Sequence, residues 1–331
     1  MIVTQTPLRI SLFGGGTDLA DYYRRAGGSV LSFAIDKHVH VAVKPRWDDE
    51  LVVNHWTQER TGHVHDIRNG VIRECLVAAG ISGGLEISCM SDVPAGGSGL
   101  GSSSALAVGL LNALLAYQGA APGPAELAEA ACRIEIDVLG QPIGKQDQYA
   151  AAFGDWREYR FHPDGSVTAQ RVLVPAAHLA EFHRHALILY TGRTRRASDI
   201  LSDQKANIDR RLDQLHALKS HVATGHELLL RGEVRELGRL LDESWQRKRE
   251  LSDKIHDQQL DTMYERARQA GAYGGKLLGA GGGGFFLFLC PPHRHAQVRA
   301  ALGNPRQMTF SFDRHGSTVL LNTRAAALVT T

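Results

Sequence analysis

The chain has 331 residues, which is enough for about two domains with their own apolar cores. Apolar residues make up 43% of it and charged residues 22%, a balance that is typical of globular proteins and excludes overall disorder. The formal net charge is +2, so the composition gives no reason to expect nucleic acid as a partner.

The four cysteines are scattered, and no two have the C-x-x-C spacing of a zinc site or a redox dithiol. Isolated thiols in a chain of this length favour a reducing compartment. The N-terminal residues lack the basic and apolar segments of a secretory signal, and no apolar run approaches the roughly 18 residues of a membrane span. We therefore expect a cytoplasmic protein without a membrane partner.

The first half of the chain has mostly the alternating pattern of strands, interrupted by helical segments. Residues 2–13 predict a strand that runs into the glycines 14–16. Pro124 suits the first position of a helix that continues to about Val138. The other predicted elements of this half are strands at 29–45, 51–53, 63–67 and 85–90 and helices at 68–80 and 105–117.

The second half is more helical and contains a glycine-rich segment. Residues 157–174 predict strands, and 186–190 predict a buried strand. Between Asp203 and Leu251 the apolar residues recur with helical period in two stripes, each of which predicts an amphipathic helix. Residues 271–284 include eight glycines and lead into an apolar strand. The stripes are Ile208, Leu212, Leu215, Leu218 and Val222, and then Val234, Leu237, Leu241 and Trp245.

The loop at 94–105, P-A-G-G-S-G-L-G-S-S-S-A, predicts a nucleotide phosphate site. Its glycines let backbone amides approach an anion, and the apolar helix that follows adds free amides and the positive end of its dipole. Its serines supply hydroxyls for phosphate or Mg²⁺. The predicted cofactor-binding residues are Gly96, Gly97, Ser98, Gly99, Leu100, Gly101, Ser102, Ser103 and Ser104.

Two familiar phosphate loops do not match this segment. A P-loop requires lysine after its last glycine, whereas Gly101 is followed by Ser102. The dinucleotide fingerprint requires G-x-G-x-x-G, and the glycines at 97, 99 and 101 have a different spacing. A nicotinamide oxidoreductase is therefore disfavoured, although this loop alone does not exclude one.

The loop resembles the second motif of the GHMP kinases, the family of galactokinase, homoserine kinase, mevalonate kinase and phosphomevalonate kinase. Residues 6–18, T-P-L-R-I-S-L-F-G-G-G-T-D, resemble the first motif, and residues 276–284, K-L-L-G-A-G-G-G-G, resemble the third. The resemblance implies an α+β fold. Its N-terminal domain, 1–165, would carry a mixed sheet and the ATP loop, and its C-terminal domain, 166–331, would be ferredoxin-like and carry the third glycine motif.

The resemblance also implies roles for particular residues. Glu135 and Ser103 would hold Mg²⁺, and Asp147 would contact the acceptor hydroxyl as a base or an electrostatic anchor. Arg9 would stabilise the transferred phosphoryl group and keep Asp147 ionised. Apart from the resemblance, Lys145 lies two residues before Asp147, and this position makes it a candidate to lower the pKa of Asp147 or to contact phosphate. ATP and Mg²⁺ are the implied cofactors.

The acceptor is implied by the first motif. Galactokinases have Gly-Glu-His-Thr-Asp where this chain has Gly14, Gly15, Gly16, Thr17 and Asp18, so space replaces two side chains while the sugar-binding carboxylate remains. Together with 144–154 and 190–196, this pattern resembles the D-glycero-D-manno-heptose 7-phosphate kinases. These phosphorylate the anomeric hydroxyl, towards nucleotide-activated heptose for surface polysaccharide. The predicted substrate-binding residues are Gly15, Gly16, Thr17, Asp18, Gly281 and Gly282.

A phosphorylated acceptor needs a second anion site, and arginine binds phosphate through two parallel hydrogen bonds. Arg193, Arg195 and Arg196 follow a predicted buried strand and are the first choice for this site. The alternative site consists of Lys37, Lys44 and Arg46.

Other interpretations stay open at this level. The enzyme could act on a free hexose or an isoprenoid alcohol, or the chain could be a catalytically silent sugar and ATP sensor. A homodimer is also open. Four histidine pairs have i, i+2 spacing, but no third ligand recurs with them, so we do not predict a histidine metal site. They are His38/His40, His63/His65, His183/His185 and His293/His295.

Overall fold

A computed structural model describes residues 1–93, 97–195 and 197–324. Its helices are α1 (Ala20–Ala26), α2 (Gly70–Ala78), α3 (Ser102–Tyr117), α4 (Pro124–Cys132), α5 (Gln146–Phe153), α6 (Ala176–His185), α7 (Ala197–Ala206), α8 (Leu212–Arg231), α9 (Val234–Arg249), α10 (Gln258–Gln269) and α11 (His295–Ala301). Its strands are β1 (Ile2–Phe13), β2 (Gly28–Pro45), β3 (Leu51–Asn54), β4 (Gln58–Thr61), β5 (Leu85–Ser91), β6 (Trp156–Phe161), β7 (Val167–Arg171), β8 (Ala186–Tyr190), β9 (Gly274–Leu277), β10 (Phe285–Leu289), β11 (Gln307–Met308) and β12 (Thr318–Asn322).

The first sheet is mixed, as the family resemblance implies. Its main order is β12-β1-β2-β5-β3-β4, and β6 pairs with both β2 and β7. The β3–β5 pair is parallel, whereas the others are antiparallel. The predicted domain boundary at 165/166 falls in the turn between β6 and β7. Strands β7 and β12 both follow this boundary in the chain, yet they pair within the first sheet.

The second sheet has the ferredoxin-like order. Strands β11-β8-β10-β9 are antiparallel neighbours, and the chain passes through them as strand, helices, strand, strand, helix, strand. Helix α9 packs on β9 and β10. The predicted α9 stripe is confirmed, because Val234, Leu237, Leu241 and Trp245 are all buried.

Helix α3 lies against β1 and β2 beneath the first sheet and is buried on nearly all sides, as its continuous apolar sequence predicts. Gly109 lets it approach β1 closely, since a Cβ there would lie 2.6 Å from Thr6 Oγ1. The Thr4 hydroxyl donates a hydrogen bond of 2.9 Å to the Gly109 carbonyl. This packing holds the N-terminus of α3, where the glycine–serine loop ends, beside β1.

Two local predictions were wrong. Residues 63–67 are not a strand: Val64–Asp66 form a short 3₁₀ helix, because only Val64 and Ile67 of this segment reach the core. The helical pattern 203–251 is interrupted at 207–211, so Ile208 lies in a 3₁₀ turn outside α8. Helix α4 ends as an α-helix at Cys132 and continues over Arg133–Val138 as a π-helix, and this continuation carries Glu135.

Candidate functional site

A cavity of about 1180 Å³ opens between the N-terminus of α3, the loop after β1, helices α7 and α9 and the third glycine segment. Buried polar and charged residues from both halves of the chain surround it. Of the predicted cofactor-binding residues, Leu100 instead anchors the loop in the core, and Gly96 lies outside the described residues. Those that line the cavity are Gly97, Ser98, Gly99, Gly101, Ser102, Ser103 and Ser104.

The glycine–serine loop is docked onto the third glycine segment. Gly99 has a φ of +78°, and a Cβ at this position would lie 2.4 Å from the Leu278 carbonyl oxygen. Only glycine meets both conditions without strain. On its other side the loop is bound to β1, because the Arg9 amide donates to the Leu100 carbonyl over 3.1 Å.

Arg9 and Asp147 form a two-bond ion pair in the lining of the cavity. Arg9 Nε and Nη2 donate to the two Asp147 carboxylate oxygens, each over 2.8 Å, and Nη1 donates to the Gly99 carbonyl over 2.5 Å. Arg9 is buried, whereas the Asp147 side chain is 30% exposed and faces the cavity. The carboxylate is thereby held in one orientation next to the glycine loop.

Glu135 is fully buried and lines the cavity beside the start of α3. Ser103 Oγ donates to its Oε1 over 2.8 Å, and Ser104 Oγ and Gln148 Nε2 each donate to its Oε2 over 2.7 Å. Burial raises the pKa of Glu135, while these three hydrogen bonds act in the opposite direction. The predicted pair of Ser103 and Glu135 is therefore adjacent, and both contribute the hard oxygen atoms that Mg²⁺ prefers.

The loop after β1 brings Asp18 to the cavity. Asp18 Oδ1 accepts from the Gly16 amide over 3.0 Å, and Oδ2 accepts from the Gln146 amide over 3.3 Å. Burial raises the pKa of Asp18, and the nearby Asp147 carboxylate adds to this effect. Gly15, Gly16 and Asp18 line the cavity.

Thr17 is buried beneath this loop instead of facing the cavity. Its hydroxyl bonds to the carbonyls of Gly14 and Ser29, each over 2.8 Å. Thr17 was predicted to bind the acceptor, but its hydrogen bonds instead stabilise the loop after β1.

Comparison with known proteins identifies the fold and the chemistry. The sequence model of the GHMP kinase N-terminal domain matches residues 67–155, and that of the GHMP kinase C-terminal domain matches residues 226–305. The chain belongs to the GHMP kinase family. It is a phosphotransferase with an alcohol group as acceptor, and ATP is the phosphoryl donor of the family.

The alignments with three similar proteins extend over almost the whole of this GHMP kinase. It is 31% identical to a D-glycero-alpha-D-manno-heptose 7-phosphate kinase from Campylobacter jejuni, over 95% of this chain and 97% of that protein. The structure of a D-glycero-D-manno-heptose 1-phosphate kinase from Bacteroides thetaiotaomicron has a TM-score of 0.81 at 25% identity, covering 97% and 99% of the two chains. The galactokinase of Lactococcus lactis, solved with galactose, shares the fold with a TM-score of 0.73 at 19% identity, covering 96% and 95%.

Several predicted residues of this GHMP kinase do not face the cavity. Lys145 instead bonds to the Glu129 carboxylate, at 3.2 Å, and to the Gly165 carbonyl, at 2.8 Å. Gly281 and Gly282 pack against Ile255 and Ile200, while the preceding Gly279 and Ala280 line the cavity.

The arginine run is divided between different environments. Arg193 Nη2 is ion-paired to Asp257 at 2.6 Å and does not line the cavity. Arg195 lines the cavity and is half-exposed, with its Nη2 at 3.7 Å from the same Asp257 oxygen. Arg196 lies outside the described residues. The alternative cations, which lie away from the cavity, pair with acidic neighbours: Lys37 with Asp36, Lys44 with Glu86 and Arg46 with Asp48.

Sequence reasoning missed two buried lysines of the site. Lys248 of α9 and Lys276 of β9 are both nearly inaccessible to solvent and line the cavity. Lys276 Nζ donates to the carbonyls of Ser11, at 2.9 Å, and Leu12, at 3.0 Å. A signal existed for Lys248, because it continues the apolar stripe of α9 one turn beyond Trp245, where a charge has no structural reason to be.

Sequence reasoning also left the far end of the cavity unassigned. This end lies between β5, the β3–β4 hairpin and α3 and is lined by Trp56, Asn69, Val71, Met90 and Leu106. These aromatic and aliphatic side chains, with the Asn69 amide and the polar side chains of His55, Ser91 and Asp92, are a suitable lining for a flat heterocycle.

Two absences, of a metal-binding cluster and of a membrane-spanning helix, hold for the described ranges. Within residues 1–93, 97–195 and 197–324, no group of three or more His, Cys, Asp or Glu side chains is placed to hold a metal ion. Across the same part of the chain, no helix is both long enough and apolar enough to cross a membrane.

Proposed function

We propose that this enzyme is a sugar kinase that transfers the terminal phosphoryl group of ATP to the anomeric hydroxyl of D-glycero-D-manno-heptose 7-phosphate. The observation that carries this proposal is the acceptor end of the cavity, where Gly15 and Gly16 leave space next to the buried carboxylate of Asp18. A carboxylate can bind sugar hydroxyls, and the absent side chains make room for a sugar larger than a hexose. The similar heptose 7-phosphate kinase supports this acceptor, and the similar heptose 1-phosphate kinase supports the broader class of heptose phosphates.

The geometry supports a direct transfer between two ends of one cavity. The nucleoside would occupy the end near Trp56 and Val71, and its phosphates would lie along the loop at 97–104. The sugar would lie against Asp18, with its hydroxyl facing Asp147. Arg9 holds the Asp147 carboxylate and lies where it can stabilise charge on the transferred group.

Mg²⁺ fits the oxygen pair of Ser103 and Glu135. A buried carboxylate with three donors still has an acceptor position free, and Mg²⁺ commonly takes only one or two protein oxygens besides the substrate phosphates. When bound there, Mg²⁺ would neutralise phosphate charge during transfer. Ser104 and Gln148 orient the carboxylate for this role.

The acceptor is tested by measuring ADP release with a panel of phosphorylated and free heptoses and hexoses. We expect the highest kcat/KM for D-glycero-D-manno-heptose 7-phosphate, with Mg²⁺ and ATP present. A preference for a free hexose would replace the proposal with a hexose 1-kinase. Absence of turnover with every sugar, together with retained ATP binding, would favour a silent sensor.

Arg195 is proposed to bind the 7-phosphate, because it is the described member of the arginine run that lines the cavity. Arg195→Ala should reduce kcat/KM for the phosphorylated sugar by about 10- to 150-fold, the equivalent of a lost hydrogen bond to a charged group. The free sugar should be affected much less, so the decisive quantity is the ratio of kcat/KM for the phosphorylated over the free sugar.

Arg193→Ala is the matched control, because Arg193 shares Asp257 as a partner but does not line the cavity. It should leave the ratio unchanged. An unchanged ratio in Arg195→Ala would remove this residue from phosphate recognition, even if heptose 7-phosphate is the substrate.

Glu135→Gln should raise the Mg²⁺ concentration needed for half-maximal activity and lower kcat, because a neutral amide is a poor ligand for a hard cation. The measurement is a Mg²⁺ titration at saturating ATP. Glu129→Gln applies the same change to a nearby carboxylate that bonds Lys145 outside the cavity, and it should leave the titration curve unchanged. Identical curves for Glu135→Gln and the unsubstituted enzyme would show that another group binds the metal.

A further inference from the structure

Lys248 occupies the junction between the two glycine loops of the cavity. Its ammonium donates to the carbonyl oxygens of Gly279 and, at 3.5 Å, Leu277, and the residue is one of the buried positions of α9. Gly279 in turn contacts Gly99, because a Cβ at Gly279 would lie 2.3 Å from the Gly99 Cα. The Lys248 ammonium is therefore attached to the point where the 97–104 loop meets the third glycine segment.

The charged groups around Lys248 leave it without an ion pair among the described residues. The groups that act on it electrostatically are Arg9 of β1, Asp18 of the following loop and Asp147 of α5. Lys276 of β9 is a further cation in the same environment. Asp147 is already bound through both oxygens to Arg9, and both Asp18 oxygens accept backbone amides.

Burial of the Lys248 ammonium costs free energy unless an anion enters the cavity. A buried ammonium that has only carbonyl partners loses most of its hydration without a compensating negative charge. Lys276 is likewise buried and donates to the carbonyls of Ser11 and Leu12, and burial, with the nearby Lys248 as the next cause, lowers its pKa well below the usual range. Lys248 thus lies next to the phosphate loop without an ion pair among the described residues, and a ligand with concentrated negative charge would balance its ammonium.

We propose that Lys248 binds the terminal phosphate of the nucleotide at the junction of the two glycine loops. The inference rests on the proposed function insofar as ATP is the donor, but it does not depend on which sugar is the acceptor. The phosphate chain along 97–104 would end at this junction. The acceptor's own phosphate has the same chemistry, so the experiment distinguishes these two sources.

The test compares binding of the β,γ-imido analogue of ATP with binding of ADP, by calorimetry in Mg²⁺ without sugar. Lys248→Met should weaken binding of the ATP analogue by about 10- to 150-fold, as for one charge-assisted hydrogen bond. ADP lacks the terminal phosphate, so its affinity should change less than about threefold. A larger loss for the ATP analogue than for ADP is a result that general loosening of the fold would not produce.

The control is Lys254→Met, which changes a half-exposed lysine that pairs with Asp203 and does not line the cavity. It should affect neither nucleotide. Equal losses for both nucleotides in Lys248→Met, or no loss for either, would overturn the proposal. A separate titration with heptose 7-phosphate covers the other source of phosphate: weaker binding of this sugar in Lys248→Met, with both nucleotides unaffected, would assign Lys248 to the acceptor and overturn the proposal as well. If heptose 7-phosphate proves not to be a substrate, the nucleotide comparison is unaffected.

A second readout is the pH dependence of kcat/KM for ATP. Burial, with the nearby Arg9 as the next cause, lowers the pKa of Lys248 to about 8. A lysine loses its charge above its pKa, so kcat/KM for ATP should fall above about pH 8 in the unsubstituted enzyme. Lys248→Arg keeps the charge throughout this range and should remove or shift the decline. Lys276 is present in both proteins, so an identical decline in both would show that Lys248 is not its origin.

Discussion

Replacing Asp147 with asparagine should lower kcat by about 10²–10⁴-fold, the usual contribution of a positioned acid or base. Asparagine has a similar shape, but it can neither take a proton from the acceptor hydroxyl nor balance the Arg9 charge. The nucleotide contacts of the 97–104 loop should remain, so binding of the ATP analogue should change little. Rapid-quench measurement of the transfer step with saturating sugar and ATP gives the required rate.

Asp137→Asn is the matched control, because Asp137 is an exposed carboxylate of the π-helical segment that carries Glu135 and does not line the cavity. It should leave the rate unchanged. A rate within about threefold of the unsubstituted enzyme in Asp147→Asn would contradict a role in proton transfer, given the magnitude above. Asp147 would then be only an anchor for Arg9.

Arg9→Lys should lower kcat by about 10²–10³-fold, the range for loss of one preorganised donor to a reacting oxygen. Lysine keeps the charge, but it cannot bind both Asp147 oxygens and the Gly99 carbonyl from one planar group. The carboxylate and the phosphate loop would both lose their common support. The measurement is kcat together with the midpoint of thermal unfolding.

Arg46→Lys is the comparison for the loss of a two-bond ion pair that has no role in the cavity. Arg46 makes a similar two-bond pair with Asp48, at 2.6 and 2.5 Å, away from the cavity. Arg9→Lys should lose more stability than Arg46→Lys, because Arg9 is more buried and also binds the Gly99 carbonyl, and the large loss of kcat should occur only in Arg9→Lys. A kcat near that of the unsubstituted enzyme in Arg9→Lys would show that a lysine ammonium can replace the Arg9 guanidinium.

The sequence by itself determined the local parts of this kinase. The loop at 97–104 depends on glycines at alternate positions and on serines before an apolar helix, and all of these are neighbours in the chain. The position of Glu135 and of Asp147 after it also followed from local pattern and from resemblance to the family. Alternation and helical period were sufficient for most strands and for α9, because each element buries one face in a regular spacing.

The tertiary structure decided which atoms of these groups bond to one another. Arg9 pairs with Asp147 138 positions away, and Lys276 caps carbonyls of β1 across 265 and 264 positions, so no local pattern encodes either contact. Nothing in the sequence distinguished Arg195, which lines the cavity, from Arg193, which pairs with Asp257 outside it. Lys248 shows the reason. Its position in the α9 stripe is visible in the sequence, but its role depends on the charges and carbonyls that surround it. These groups come from segments that only folding brings together.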